Sequence, residues 1–313
     1  MNPVSEWLPE RVDGRIRFFA WASFVAQVTI IATGGAVRLT GSGLGCPTWP
    51  TCTADSLIPT EELSYHSLIE FGNRMMTGVV GILALVLFVL VWRIRAERRD
   101  LFTLSFIVGA GVVAQAVVGG VTVWTGLNPF IVGFHYVSSL VLVCVSAAFL
   151  ARMREPVGLR ERAVPGWYSA LSHATSAVLA LTIIFGVLTT GSGPHSGDAA
   201  AGRTGFDSEV LEHVHAWPGY LLLVLTLVLV GAAWRLRLPT LGWSVALLVA
   251  ELVQVAVGLY QARNGLPPIL VGIHMVLAAL TAAAMTLVVL RLKRPVDDAL
   301  RLRPHVPTEA SVH

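Results

Sequence analysis

Charge is scarce in this chain: Asp, Glu, Lys and Arg make up 13% of its 313 residues, against 55% hydrophobic residues. A soluble globule carries about a quarter charged residues, so that class is excluded, and a mean hydropathy of +0.71 places the chain among polytopic membrane proteins. Cysteine is scarce too, at three residues, and no Cys/His set with zinc-ligand spacing lies at the depth of the intramembrane histidines. A nucleic-acid partner is set aside, because the arginines behind the net charge of +3 sit in short clusters between apolar runs and report orientation instead. A cleavage pattern is also missing. Met1 to Arg17 is polar and charged, and the first apolar run is followed by Arg38 and a Gly-rich segment, so that run is expected to be retained as a helix.

What the chain has is long apolar runs. A span needs about 20 mostly apolar residues, and runs of that kind lie near 16 to 38, 67 to 92, 102 to 124, 129 to 151, 167 to 190, 208 to 234, 241 to 262 and 267 to 291. They predict an all-α integral membrane protein with eight transmembrane helices. Basic residues cluster before helix 1 (Arg11, Arg15, Arg17), after helix 2 (Arg93, Arg95, Arg98, Arg99) and after helix 4 (Arg152, Arg154, Arg160, Arg162). Arg235, Arg237, Arg291, Lys293 and Arg294 continue the pattern. Both termini are therefore expected to be cytoplasmic, with the 39 to 66 and 191 to 207 loops outside.

The chain repeats itself. Leu127-Asn128-Pro129-Phe130-Ile131-Val132-Gly133-Phe134-His135 aligns without a gap to Leu266-Pro267-Pro268-Ile269-Leu270-Val271-Gly272-Ile273-His274, and at the same offset Gln115 matches Gln254 and Gly119 matches Gly258. Thr40-Gly41-Ser42-Gly43 matches Thr190-Gly191-Ser192-Gly193, and Glu70-Phe71-Gly72-Asn73 matches Glu212-His213-Val214-His215. Two tandem four-helix bundles follow, residues 1–155 and 156–313. An even number of spans per copy predicts a pseudo-twofold axis along the membrane normal.

Ionisable groups inside a span cost several kcal/mol unless paired, which marks them as candidate functional residues. His135 lies about six residues into helix 4, His274 about seven into helix 8, and His215 at similar depth on helix 6. A lone intramembrane histidine can be a polar core residue bonded to a carbonyl. Two at one height on different helices are what a haem with two axial imidazoles needs. Glu70 shares a helix face with Asn73 and can act on protons or cations, or pair with Arg74 four residues on. Arg38 and Arg74 are candidates for carboxylate contacts such as haem propionates. His66 and His213, near the boundary, read as solvated. Cys46 and Cys52 flank a Pro47-Thr48-Trp49-Pro50 turn on the expected oxidising side, where a disulfide is expected. Cys144 reads as a small packing residue. Glu212 and Glu251 have no assigned role, and Val112 stands where Glu251 does in the other half.

Jointly these motifs resemble the haem A synthase family, membrane enzymes that convert haem O to haem A during assembly of terminal oxidases. The resemblance rests on Thr40 to Cys46 with Cys52, on Ile69-Glu70-Phe71-Gly72-Asn73-Arg74, and on the histidines of helices 4, 6 and 8. It implies haem b as a cofactor ligated by His215 and His274. It also implies haem O as substrate near His135 and Glu70 in the first half, and a role for the Cys46/Cys52 pair in electron transfer or partner contact. Many members carry a second histidine where this chain has Asn73, so the first-half haem is expected to be held by His135 alone, leaving an open coordination position.

The reaction implied is oxidation of the C8 methyl of haem O to a formyl group by successive hydroxylations and loss of water, making the protein an oxidoreductase. The implied partners are haem O, haem O synthase, an electron acceptor and membrane lipid, in the cell membrane. The oligomeric state stays open. Two other readings compete. A b-type cytochrome that only passes electrons predicts two histidines in each half. A repeat-built transporter predicts Glu70, Glu212 and Glu251 as proton-relay residues and helices broken at midplane.

Overall fold

The computed structural model describes residues 8–60 and 64–296, so the two termini lie outside the described residues. Among the described residues, eight helices are long and apolar enough to cross a membrane: α1 (Gly14–Leu39), α2 (Tyr65–Val91), α3 (Arg99–Trp124), α4 (Pro129–Arg152), α5 (Gly166–Ser192), α6 (Ser208–Arg235), α7 (Leu241–Arg263) and α8 (Pro268–Leu290). The protein is a multi-pass membrane protein. Its spans match the apolar runs to within three residues, because in hydrocarbon every backbone group must bond inside its own segment, so each run folds as helix from end to end.

Local signals set the starts. Asp13 accepts from the backbone N–H groups of Arg15 and Ile16 at 3.0 and 3.1 Å to cap α1, and Asp207 accepts from those of Glu209 and Val210 at 2.8 and 3.1 Å to cap α6. Asn128 caps α4 by accepting from Phe130 N–H at 3.0 Å, and Pro129 and Pro268 open α4 and α8, where a missing N–H costs nothing. The repeat reaches into backbone conformation: the turn after α3 carries Gly126 and Leu127 at φ +59° each, and the turn after α7 carries Gly265 at +72° and Leu266 at +56°. In each, the leucine N–H bonds back five residues, Leu127 to Thr122 at 2.8 Å and Leu266 to Gln261 at 2.9 Å. These closures tie off orphan carbonyls at the helix ends.

Packing repeats as well. α1 packs on α2, α2 on α3, α3 on α4 and α4 on α1, and α5 to α8 do the same in the same order. The halves meet through α4 against α8, flanked by α1 on α8 and α4 on α5. The small residues Ala147, Ala279 and Ala283 sit in the buried cluster between α1, α4 and α8 with Ile31, Leu140 and Val143, which lets the backbones approach closely where no hydrophobic drive separates helix from lipid. Tyr136 and Met275 hold equivalent positions in the two copies and meet each other, the Tyr136 hydroxyl donating to the Met275 carbonyl at 2.8 Å.

The two ends of the bundle differ. At one, the loops after α1 and α5 are joined by Gly43 N–H donating to the Gly197 carbonyl at 2.7 Å. At the other, arginines find acids: Glu155 receives Arg152, Arg160 and Arg291 at 3.1, 2.7 and 3.6 Å. A short antiparallel pair, β1 (Arg160–Arg162) with β2 (Lys293–Pro295), closes that end. The apolar runs carry no signal for these three-residue strands.

Candidate functional site

A cavity of about 650 Å³ lies near the Cys-loop end and is lined from both halves. In the second half, His215 on α6 and His274 on α8 both reach it, with ring centres 6.2 Å apart and ring planes at 80°. The Nδ1 of His215 lies 2.9 Å from the Thr182 carbonyl on α5. A carbonyl only accepts, so Nδ1 carries the hydrogen and Nε2 keeps its lone pair. His274 has its Nδ1 buried without a partner, and its carbonyl accepts from the Gln254 side chain on α7 at 3.0 Å. Pro218 lies inside α6 three residues past His215, and its missing N–H releases the Val214 carbonyl beside the histidine.

Glycines seat the imidazoles. A Cβ at Gly186 would lie 2.8 Å from His215 Cε1, one at Gly258 3.1 Å from His274 Cε1, and one at Gly119 3.5 Å from His135 Cε1. The matched pair Gly119 and Gly258 therefore does one job twice, making room on α3 and α7 for the histidine of the next helix.

In the first half the cavity is lined by Arg38, Glu70, Asn73, Arg74 and His135. His135 Nδ1 is buried without a partner. Asn73 Oδ1 accepts from the Thr33 hydroxyl at 2.7 Å. Glu70, among the few buried charged residues at 5% exposure, accepts the Cys46 N–H at 2.7 Å and both Nε and Nη2 of Arg74 at 3.2 and 2.5 Å. The Glu70–Arg74 ion pair and the cavity position thus coexist. Arg74 continues to the carbonyls of Thr48 and Thr51 at 2.9 and 3.0 Å, so one guanidinium fastens the loop that holds the Cys46–Cys52 disulfide. Arg38 donates Nε to the His195 carbonyl at 2.7 Å and Nη2 to that of Thr190 at 2.8 Å, tying α1 to the second half.

The cavity is lopsided. Ile30, Val80, Val112 and Leu142 line its deep, apolar side in the first half. At the positions matched to Val80, Val112 and Leu142 in the second half, Leu222, Glu251 and Thr281 are buried in packing and line no part of it.

The structure thus brings Glu70, Asn73, Arg74, His135, Arg38, His215 and His274 around one space. His66 stays outside it, at the start of α2 with Nδ1 2.9 Å from the Ser42 hydroxyl, and His213 is exposed with its Nδ1 2.8 Å from the Glu209 carbonyl. Glu212 is exposed, and Cys144 is half-buried on α4. The family model described as a cytochrome oxidase assembly protein, COX15-CtaA, matches residues 17–195. The chain belongs to that family.

Among COX15-CtaA relatives, the chain is 40% identical over 127 residues to the heme A synthase of Lysinibacillus sphaericus (strain C3-41), which is 40% of this chain and 41% of that protein. It is 34% identical over 129 residues to the heme A synthases of Bacillus cereus (strain AH187) and Bacillus anthracis (strain A0248), again 40% of this chain and 41% of each relative. The matched stretches therefore span about two-fifths of these relatives' length. The seats made by Gly186 and Gly258 leave no polar residue to mark them in the sequence; the repeat-matched Gly119 and Gly258 were the available signal.

Proposed function

We propose that this protein is a haem A synthase that oxidises the C8 methyl of haem O to a formyl group, with haem b as resident cofactor in residues 156–313 and haem O bound in residues 1–155. The observation that carries the reading is the lopsided cavity: two imidazoles on one side, one imidazole and an apolar extension on the other. The second-half site fits a haem. An iron bound at about 2 Å by each of two imidazoles sets their ring centres roughly 6 Å apart, and His215 and His274 stand 6.2 Å apart. The Thr182 bond fixes the His215 tautomer that offers Nε2. When bound there, haem b supplies one-electron redox chemistry.

The remaining roles belong to side chains. His135 ligates the substrate haem iron, and Asn73, held by Thr33, supplies no second imidazole. The deep side between Ile30, Val80, Val112 and Leu142 accepts the farnesyl tail, which needs an apolar slot. Glu70 stands at the reacting edge, held by Arg74 and Cys46 N–H, where a carboxylate takes up protons released as methyl becomes formyl. Arg38 spends Nε and Nη2 on carbonyls and keeps Nη1 for a propionate, whereas Arg74 is committed mainly to the disulfide loop.

We read the halves as related by an axis along the membrane normal, which the mutual contact of Tyr136 and Met275 supports. The Cys loop faces the outside of the cell membrane and both termini the cytoplasm, in keeping with the arginines at the opposite end. Haem O synthase and an electron acceptor are the expected partners.

The test is haem extraction and chromatography on the purified protein, expressed with and without a haem O source. Haem b in both samples and haem A only with haem O is the expected result. His274→Ala should abolish the haem b signal, while His135→Ala should keep haem b and lose haem A. Haem b unchanged by haem O would leave an electron-transfer cytochrome. No haem would bring the transporter reading forward.

A further inference from the structure

Two charged side chains are buried among the described residues, Glu70 and Glu251. Glu70 has Arg74. Glu251, in the middle of α7 at 3% exposure, has no cation: Oε1 accepts from the Thr226 hydroxyl on α6 at 2.8 Å, and Oε2 is buried with no partner. Leu222, Leu247, Met285 and Val288 form the apolar cluster at this level. An ionised carboxylate so placed costs several kcal/mol, whereas a carboxylic acid held by one hydroxyl does not.

The repeat shows that the fold does not need this pair. At the matched positions the first half has Val112 and Ala84, which pack together in one apolar cluster. Both partners differ together, so the second half has a polar contact where the first has an apolar one.

Its place on α7 relates it to the paired histidines. Glu251, Gln254 and Gly258 share one helix face; Gln254 holds the His274 carbonyl and Gly258 seats the His274 ring. Seven residues of helix put Glu251 roughly 10 Å from that seat, on its arginine-end side. Toward that end Thr175, Ser172 and Tyr168 are buried along one face of α5, the Thr175 and Ser172 hydroxyls donating to carbonyls of their own helix, and the Tyr168 hydroxyl lies 2.8 Å from Thr240 and 3.4 Å from Ser244 on α7. Thr240 is the residue from which α7 starts.

We propose that Glu251 is the proton-holding partner of the second-half haem: when a one-electron donor reduces the haem held by His215 and His274, the Glu251 carboxylate takes up one proton from the aqueous phase, and reoxidation returns it. Electron and proton together leave the net charge of the buried region unchanged. The inference rests on the haem b reading above. A unit charge about 10 Å away at an effective dielectric near 20 changes proton affinity roughly tenfold. The reduced state binds the proton more tightly, so the midpoint potential falls as pH rises.

Other groups facing α7 are accounted for. On α6, Glu209, Glu212, His213, Tyr220 and Arg235 are exposed and His215 is the haem ligand; on α8 the titratable side chain is the ligand His274; on α5 it is Tyr168 that touches α7, at Thr240 and Ser244. The test is potentiometric titration of the full-length protein across pH, with redox-difference infrared spectra, on wild type, Glu251→Gln and the double variant Glu251→Val/Thr226→Ala. The double variant copies the apolar pair of the first half and so keeps a packed core if the single one does not fold. Expected are a wild-type reduction equilibrium that shifts about tenfold with pH, a protonated-carboxyl band that responds to reduction, and loss of both in the variants with haem content unchanged. The same pH dependence in the variants, or a flat wild-type profile, overturns the proposal. Protein that takes up no haem with both histidines intact overturns the haem b reading and the coupling with it. In that protein the infrared difference between wild type and Glu251→Gln still reports separately whether Glu251 holds a proton.

Discussion

The two halves share a path through the membrane but differ at the level where chemistry is expected. In the second, two imidazoles face each other and a carboxyl is buried below them, while the first has one imidazole opposite an amide, with an apolar recess below. The cost of burying polar groups explains how such a division holds. Under the reading proposed above, polar atoms in the second half hold a fixed group and the first half leaves room for a large apolar ligand to enter and leave.

Erasing the difference should have the largest effect. Asn73→His puts an imidazole opposite His135, as His215 stands to His274. The expected product is a second bis-histidine haem, seen as a doubled low-spin haem signal in the visible spectrum. A single low-spin haem with activity intact would mean that the halves do not correspond at this residue.

The outer loops differ by a covalent bond. Cys46→Ala/Cys52→Ala removes a crosslink across six residues and is expected to cost about 2 kcal/mol by loss of loop constraint, read as a lower unfolding midpoint in detergent. It should also loosen Glu70, whose Cys46 N–H partner sits in that loop, so haem A formation should fall while haem b content holds. A fall in haem b first would place the effect in the wrong half.

The glycine seats rank the imidazoles more finely. Gly186→Ala, with its new methyl 2.8 Å from His215, is expected to cost about 1–3 kcal/mol of haem retention. Gly258→Ala, at 3.1 Å, should cost less, and Gly119→Ala, at 3.5 Å from His135, should stay near wild type. Haem release to an apo-acceptor protein measures all three, and the reverse order would mean that these rings move on binding.

The spans, the repeat and the histidines were legible because each is carried by composition or by a one-dimensional match. Helix faces were not. In a soluble protein the polar side of a helix marks what faces water, but here the lipid-facing Phe106 and Val224 are as apolar as the buried Leu247 and Val288, so the pattern does not say which way a residue points. That is why Glu251 was visible as an anomaly but not Thr226 beside it. It is also why Glu70 was read against Arg74 in its own helix but not against Cys46, whose backbone N–H has no letter in the sequence. Gly186 was silent for a similar reason: the space it leaves belongs to a side chain on another helix.

The strand pair at the arginine-rich end has a topological consequence. β1 precedes α5 and β2 follows α8, so the way into the second bundle and the way out of it lie side by side, hydrogen-bonded from Arg160 to Pro295. A bundle whose entrance and exit adjoin can be spliced beside another, or be cut open elsewhere and rejoined there, with almost no added connector. Tandem copying of such a module leaves each copy's interior undisturbed, and the two interiors are then free to diverge.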